Sequence, residues 1–256
     1  MFVMYFFLTV AIQLLGLGIC TGQNTNKSEE GHSIFERPSH DSSGACMFGF
    51  FFQTYRQPLA AEASFNQIRK FYPTSHVYIL TDNGGVDLSA LCDGDRYCTS
   101  HISAERNRHG SRETTLDSLR RMYTYFDHFA AAASTGCEYT TYIEEDVWLT
   151  RRIRRIEFPR YDAVGLYNPW YPKFTLKVRE MMSKNNTRAT VYTVLFAASC
   201  YRSKALVDAV RNRLQSIDWL MVNKLDHRVG NNWDTVAPVL MAVANYSTGY
   251  WYAACE

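Results

Sequence analysis

Three consecutive carboxylates, Glu144-Glu145-Asp146, stand at the end of the largely hydrophobic run CEYTTYI that spans 137–143. Like charges this close repel one another and push at least one pKa upward, so the cluster is costly unless a cation neutralises it. Hard carboxylate oxygens suit Mg²⁺ or Mn²⁺, which keep several waters and take phosphate oxygens as remaining ligands. Alternate residues of an extended segment point the same way, so Glu144 and Asp146 share a face while Glu145 looks elsewhere. The competing reading is an acidic, solvated corner, and the buried strand leading into the triplet weighs against it.

A second acid, Asp234, lies in the polar stretch Gly230-Asn231-Asn232-Trp233-Asp234-Thr235, just before an apolar helical pattern. Asp234 or Thr235 could simply cap that helix, and Asp218 and Asp226 are rivals for any catalytic role. The basic run Arg151-Arg152-Ile153-Arg154-Arg155 reads as a solvated face. The seven histidines show no HxxxH spacing, and nothing in the sequence assigns His101 or His227 to a metal.

The elements that must position these residues alternate between strand and helix. The apolar run 45–54 (ACMFGFFFQT) has the pattern of a fully buried parallel strand. Pro58 opens a helix with Ala61, Phe65, Ile68 and Tyr72 on one face, and Pro73 closes it. A strand follows over 76–81 (HVYILT), and Asp82-Asn83-Gly84-Gly85 turns away from its end. A weaker strand is expected over 96–100 and a long helix over 113–133, followed by the strand leading into Glu144. Further strands are expected at 162–167 and 191–199, a helix from Ser203, and a last helix opening between Asp234 and Pro238. The pattern is α/β, with a mainly parallel central sheet flanked by helices. In such sheets ligands bind at the strand C-termini, where the loops after Thr54 and Thr81 lie.

The order of these segments resembles the GT-A fold of nucleotide-sugar-dependent glycosyltransferases. The likeness rests on Phe52-Gln53-Thr54-Tyr55-Arg56-Gln57-Pro58 after the first strand, Thr81-Asp82-Asn83-Gly84-Gly85 after the second, and Glu144-Glu145-Asp146 after a long helix and strand. It covers about 45–148 well and the remainder in outline. The Glu-Glu-Asp form is similar to the Glu-Asp-Asp of inverting N-acetylglucosaminyltransferases. The resemblance implies a Rossmann-like GT-A domain that moves a sugar from a nucleotide diphosphate donor to a glycan or protein acceptor. It implies that Thr54, Tyr55, Arg56 and Asp82 embrace the base and ribose. Asp146 would be the direct ligand of Mn²⁺ or Mg²⁺. Glu144 would act on a metal-bound water or the donor ribose and serve as a second metal residue, with Glu145 beside the donor. Arg56, Arg112 and Arg120 are candidate phosphate contacts. Inversion is the expected outcome, with Asp234 deprotonating the acceptor hydroxyl and Trp233 stacking on the acceptor sugar.

Compartment and partners are bounded by the rest of the chain. Its first 20 residues (MFVMYFFLTVAIQLLGLGIC) are nearly all apolar, as a signal peptide or signal anchor would be. The expected organisation is therefore 1–22 as signal or anchor, 23–43 as a flexible polar stem, and 44–256 as the catalytic domain. Sequons at Asn26, Asn185 and Asn245 and six cysteines beyond Cys20 agree with an oxidising secretory lumen. The expected location is the ER or Golgi lumen as a type II membrane protein, or outside the cell. Six cysteines allow fifteen pairings, although Cys92 and Cys98 are close enough to close a short loop. A net charge of +2 gives no basic stripe for nucleic acid. Two rival functions remain open on sequence: a secreted carbohydrate-binding protein of the same fold without turnover, and a hydrolase. The hydrolase needs two carboxylates facing across a cleft, which adjacent residues fit poorly.

Overall fold

A seven-residue strand in which every side chain is buried forms the centre of the sheet: β1, Phe48–Thr54. In the computed structural model it pairs with β2 (Val77–Thr81) on one side and β4 (Tyr139–Glu144) on the other, both parallel to it. Being central and covered on both faces, it needs no polar alternation, which is why its sequence is a continuous apolar run. The structure describes residues 46–55, 57–81, 86–103, 116–153, 161–165, 199–212 and 233–250; within these, 116–123, 233–236, 238 and 250 are described by backbone only. All fall in the compact unit Ser42–Glu256.

Among the described residues the sheet has seven strands, completed by β3 (Cys98–Ile102), β5 (Ala163–Gly165), β6 (Cys200–Arg202) and β7 (Thr248–Tyr250). Their order is β3-β2-β1-β4-β6-β5-β7, and β6 alone runs against its neighbours. The class is the expected one: a mixed α/β fold whose central sheet is mostly parallel and is flanked by helices.

Helix α1 (Pro58–Phe71) starts at its proline and buries Ala61, Ser64, Phe65 and Ile68. On its side of the sheet, Tyr72 packs on Phe48 and Phe50. Helix α2 (Leu116–Ala133) covers the opposite face, where its Tyr125 and Phe129 rings meet Phe51 of β1 at 5.5 and 4.9 Å. Phe129 also packs edge-on against Tyr201 of β6, at 5.0 Å. Residues alternate in direction along β1, so Phe50 and Phe51 serve opposite helices. Helices α3 (Ser203–Arg211) and α4 (Trp233–Val243) continue the helical layer, α3 against α2 and α4 against α3. No helix of the described residues is long and apolar enough to cross a membrane; the apolar segment 1–22 lies outside those residues.

One sequence expectation shifts. The strand expected at 96–100 lies at Cys98–Ile102. Asp95 ends a turn there, taking the Tyr97 N–H on its side chain and the Cys98 N–H on its carbonyl, while Cys98 is tied back to Cys92 by a disulfide. The strand expected at 191–199 lies outside the described residues except for Ser199, which directly precedes β6. The short strand β7 has no counterpart in the sequence reading. A second disulfide joins Cys46 to Cys137, while Cys200 is buried outside any disulfide, with the Thr141 hydroxyl donating to its Sγ at 3.4 Å.

Candidate active site

The C-terminal ends of β1, β2 and β4 lie side by side, with Thr54 paired to Thr81 and Gln53 to Glu144. The acidic triplet does not continue as strand. β4 ends at Glu144, and the Val147 N–H donates to the Glu144 carbonyl at 3.0 Å, closing a tight turn through Glu145 and Asp146. The expectation that Glu144 and Asp146 share a face by extended-strand alternation therefore does not apply. Their common surroundings come from the turn instead.

Each carboxylate has a different environment. Glu145 accepts backbone N–H groups of Tyr55 at 2.8 Å and Gln57 at 3.3 Å, which tethers the loop after β1 to the acidic turn. The buried Ser64 hydroxyl of α1 lies 3.0 Å from the Glu145 carbonyl and 3.2 Å from the Val147 carbonyl, holding the turn from below. Asp146 is exposed, yet the protein around it desolvates its carboxyl and raises the pKa, with Glu145 adding repulsion. Glu144 is largely enclosed, and desolvation pushes its pKa to about 7; the neighbouring Asp146 and Glu145 add to this against a hydrogen bond from Tyr142.

Beneath Glu144 lies a polar network that the sequence reading did not identify. Tyr142 Oη sits 2.5 Å from Glu144 Oε1 and 2.7 Å from Gln53 Oε1, and Tyr125 of α2 also donates to Gln53 Oε1. A single phenol proton cannot serve both Gln53 and Glu144. With Glu144 protonated, its hydroxyl donates to Tyr142 and every contact carries one hydrogen. With Glu144 ionised, Tyr142 turns to the carboxylate, and the Gln53 contact keeps a hydrogen only if the amide presents Nε2. The available signal was Gln53 itself, a polar residue near the end of an aromatic run that reads as fully buried.

The other sequence candidates divide. Thr54 is buried, and its hydroxyl lies 3.4 Å from both the Leu80 carbonyl and the Thr81 hydroxyl, linking the two strand ends. Tyr55 is exposed beside Glu145, and Trp148 is exposed just beyond the turn. Arg56, Asp82, Arg112, Asp218, Asp226 and His227 lie outside the described residues, as do the side chains of Arg120, Trp233 and Asp234. The Asp234 backbone belongs to the first turn of α4, so the helix begins one residue earlier than its sequence pattern implies. The donor set suits a hard divalent cation. It offers two carboxylates whose pKa values burial raises, Glu144 to about 7 against the hydrogen bond from Tyr142, while no cluster of three His, Cys, Asp or Glu ligands occurs among the described residues. Water and phosphate oxygens would complete such a shell.

No family model matches the sequence, and neither does any curated protein. Among solved structures, the chain is similar to the galactosyltransferase LgtC in complex with donor and acceptor sugar analogues, with a TM-score of 0.48 and 10% identity over 80% of this chain and 73% of that one. An active-site mutant of LgtC gives a TM-score of 0.49 at 10% identity, covering 80% of this chain and 72% of that one. The bifunctional glycosyltransferase WbbM, in its apo form, gives 0.42 at 9% identity, covering 83% of this chain and 39% of that one.

Proposed function

We propose that this chain is a metal-dependent glycosyltransferase that moves a sugar from a nucleotide diphosphate donor to a hydroxyl of a glycan or protein acceptor, with inversion. The observation that carries this reading is the tether between Glu145 and the Tyr55 and Gln57 amides. It fixes the loop after β1 against a carboxylate turn at the sheet edge where α/β folds bind nucleotides. A bound Mn²⁺ or Mg²⁺ would be held by Asp146 and Glu144 and would stabilise the departing diphosphate as a Lewis acid. The chain's own residues do the rest. The loop at Thr54, Tyr55 and Arg56 and the loop at Asp82 hold base and ribose. Asp234 takes the proton of the attacking acceptor hydroxyl. Site of action, in this reading, is the secretory lumen, reached through the apolar segment 1–22.

Calorimetry of the chain against uridine and guanosine diphosphates, with and without Mn²⁺, tests the proposal. Binding that requires both nucleotide and cation, followed by release of the nucleoside diphosphate from a nucleotide sugar as the sugar passes to an acceptor hydroxyl, is the expected result. Glycan binding without any nucleotide affinity would replace it with the non-catalytic carbohydrate-binding reading.

A further inference from the structure

One residue row crosses the sheet from the acidic turn to its outer edge. Glu144 pairs with Gln53, Gln53 with Leu80, and Leu80 with His101 of the edge strand β3. Paired residues of adjacent strands project to the same face, and this face is the one α2 covers. Tyr125 of α2 reaches Gln53, and one turn later His128 reaches the outer end of the row. There the His101 and His128 rings lie with centroids 4.4 Å apart and planes tilted by 40°. Tyr78 of β2 sits beneath His128, its hydroxyl 2.9 Å from His128 Nδ1.

We propose that His101 and His128 form a binding site for a borderline divalent transition metal such as Zn²⁺, separate from the acidic turn, that fastens α2 to the edge strand. Imidazole nitrogen is a preferred donor for Zn²⁺, Ni²⁺ and Cu²⁺ and a poor match for Mg²⁺. Metal-bound histidines characteristically have the second ring nitrogen fixed by a hydrogen-bonding partner. The Tyr78 hydroxyl is that partner for His128: in the tautomer whose Nδ1–H donates to the phenol oxygen, Nε2 is the nitrogen left for the metal. Desolvation and the neighbouring His101 both lower the His128 pKa, against an opposing pull from Asp127, and this keeps the ring neutral and ligand-ready. His101 is exposed, so solvent water supplies the remaining ligands. Three strand spacings separate the row's ends, about 14 Å, too far for the two sites to share an ion.

The test uses the untagged full chain and Zn²⁺ alone as probe, by calorimetry and thermal unfolding at neutral pH, with Mn²⁺ as comparison ion. Wild type should bind Zn²⁺ and gain thermal stability from it. His101→Gln, a change at an exposed position, should abolish both effects without lowering the metal-free Tm. Tyr78→Phe should weaken Zn²⁺ by ~10-fold or more, the scale for losing a partner that orients a ligand. Asp146→Asn should leave Zn²⁺ affinity unchanged. Undiminished Zn²⁺ binding in His101→Gln, or its loss in Asp146→Asn, would place the ion elsewhere and overturn the proposal. Absence of any Zn²⁺ effect on wild type would reduce the pair to a ring contact.

Discussion

The Glu145 carboxylate accepts the Tyr55 backbone N–H at 2.8 Å, across 90 residues of sequence, and so joins the acidic turn to the loop that follows the first strand. The proposed donor site spans both segments, so this contact sets their relative placement. Glu145→Ala should therefore weaken diphosphate binding by ~10-fold, about 1.4 kcal/mol, through misplacement of the loop. Glu145→Gln keeps one carbonyl acceptor and should fall between. Because the contact is exposed, stability should drop by only about 1 kcal/mol. Calorimetry alongside denaturant unfolding separates the two effects, and unchanged affinity in the alanine variant would confine Glu145 to a structural role.

Glu144 carries a pH signature. Its pKa is about 7 in the folded chain against 4.5 as the ordinary value. Between these values the native state holds a proton that the unfolded state has released. Its contribution to stability is thus complete below pH 4.5 and is lost as pH rises through 7, a loss of about 3 kcal/mol. Glu144→Gln should remove that part of the pH dependence, so that the variant becomes the more stable form at pH 8 in metal-free buffer. Urea unfolding of both forms from pH 5 to 8 reads the difference. Parallel profiles would locate the protonation at another group.

Asp146 and Asp234 should fail in different ways. A neutral amide is a poorer ligand for a hard cation, so Asp146→Asn should cut Mn²⁺-dependent diphosphate affinity by ~10-fold or more. Asp234→Asn should leave that affinity intact and lower turnover by ~10²-fold or more, the scale for losing a general base. Titration of both variants with Mn²⁺ and diphosphate, alongside turnover, distinguishes them. Full turnover in Asp234→Asn would move the base elsewhere or indicate a retaining reaction.

Gly249 of β7 has the Tyr161 ring against it: a Cβ there would lie 2.6 Å from the ring. Gly249→Ala should destabilise the chain by about 1–3 kcal/mol through overpacking, and Tyr161→Leu in the same chain should restore part of it. Thermal unfolding of the single and double variants checks this.

Sequence by itself determined the elements whose signals are local. Pro58 and the spacing of Ala61, Phe65 and Ile68 marked α1, and the unbroken run before Thr54 marked a strand buried on both faces. It also put the acidic triplet at a strand end, because charge following an apolar run is visible in one dimension. Tertiary structure alone decided what surrounds each carboxylate. The Val147–Glu144 hydrogen bond turned the triplet out of the strand, and the amides that Glu145 accepts come from a loop 90 and 88 residues away. The Gln53–Tyr142–Tyr125 network and the meeting of His101 with His128 likewise needed strand register and helix placement. β7 was missed for the same reason. Three residues carry no period of their own and become a strand only because β5 is there to pair with them.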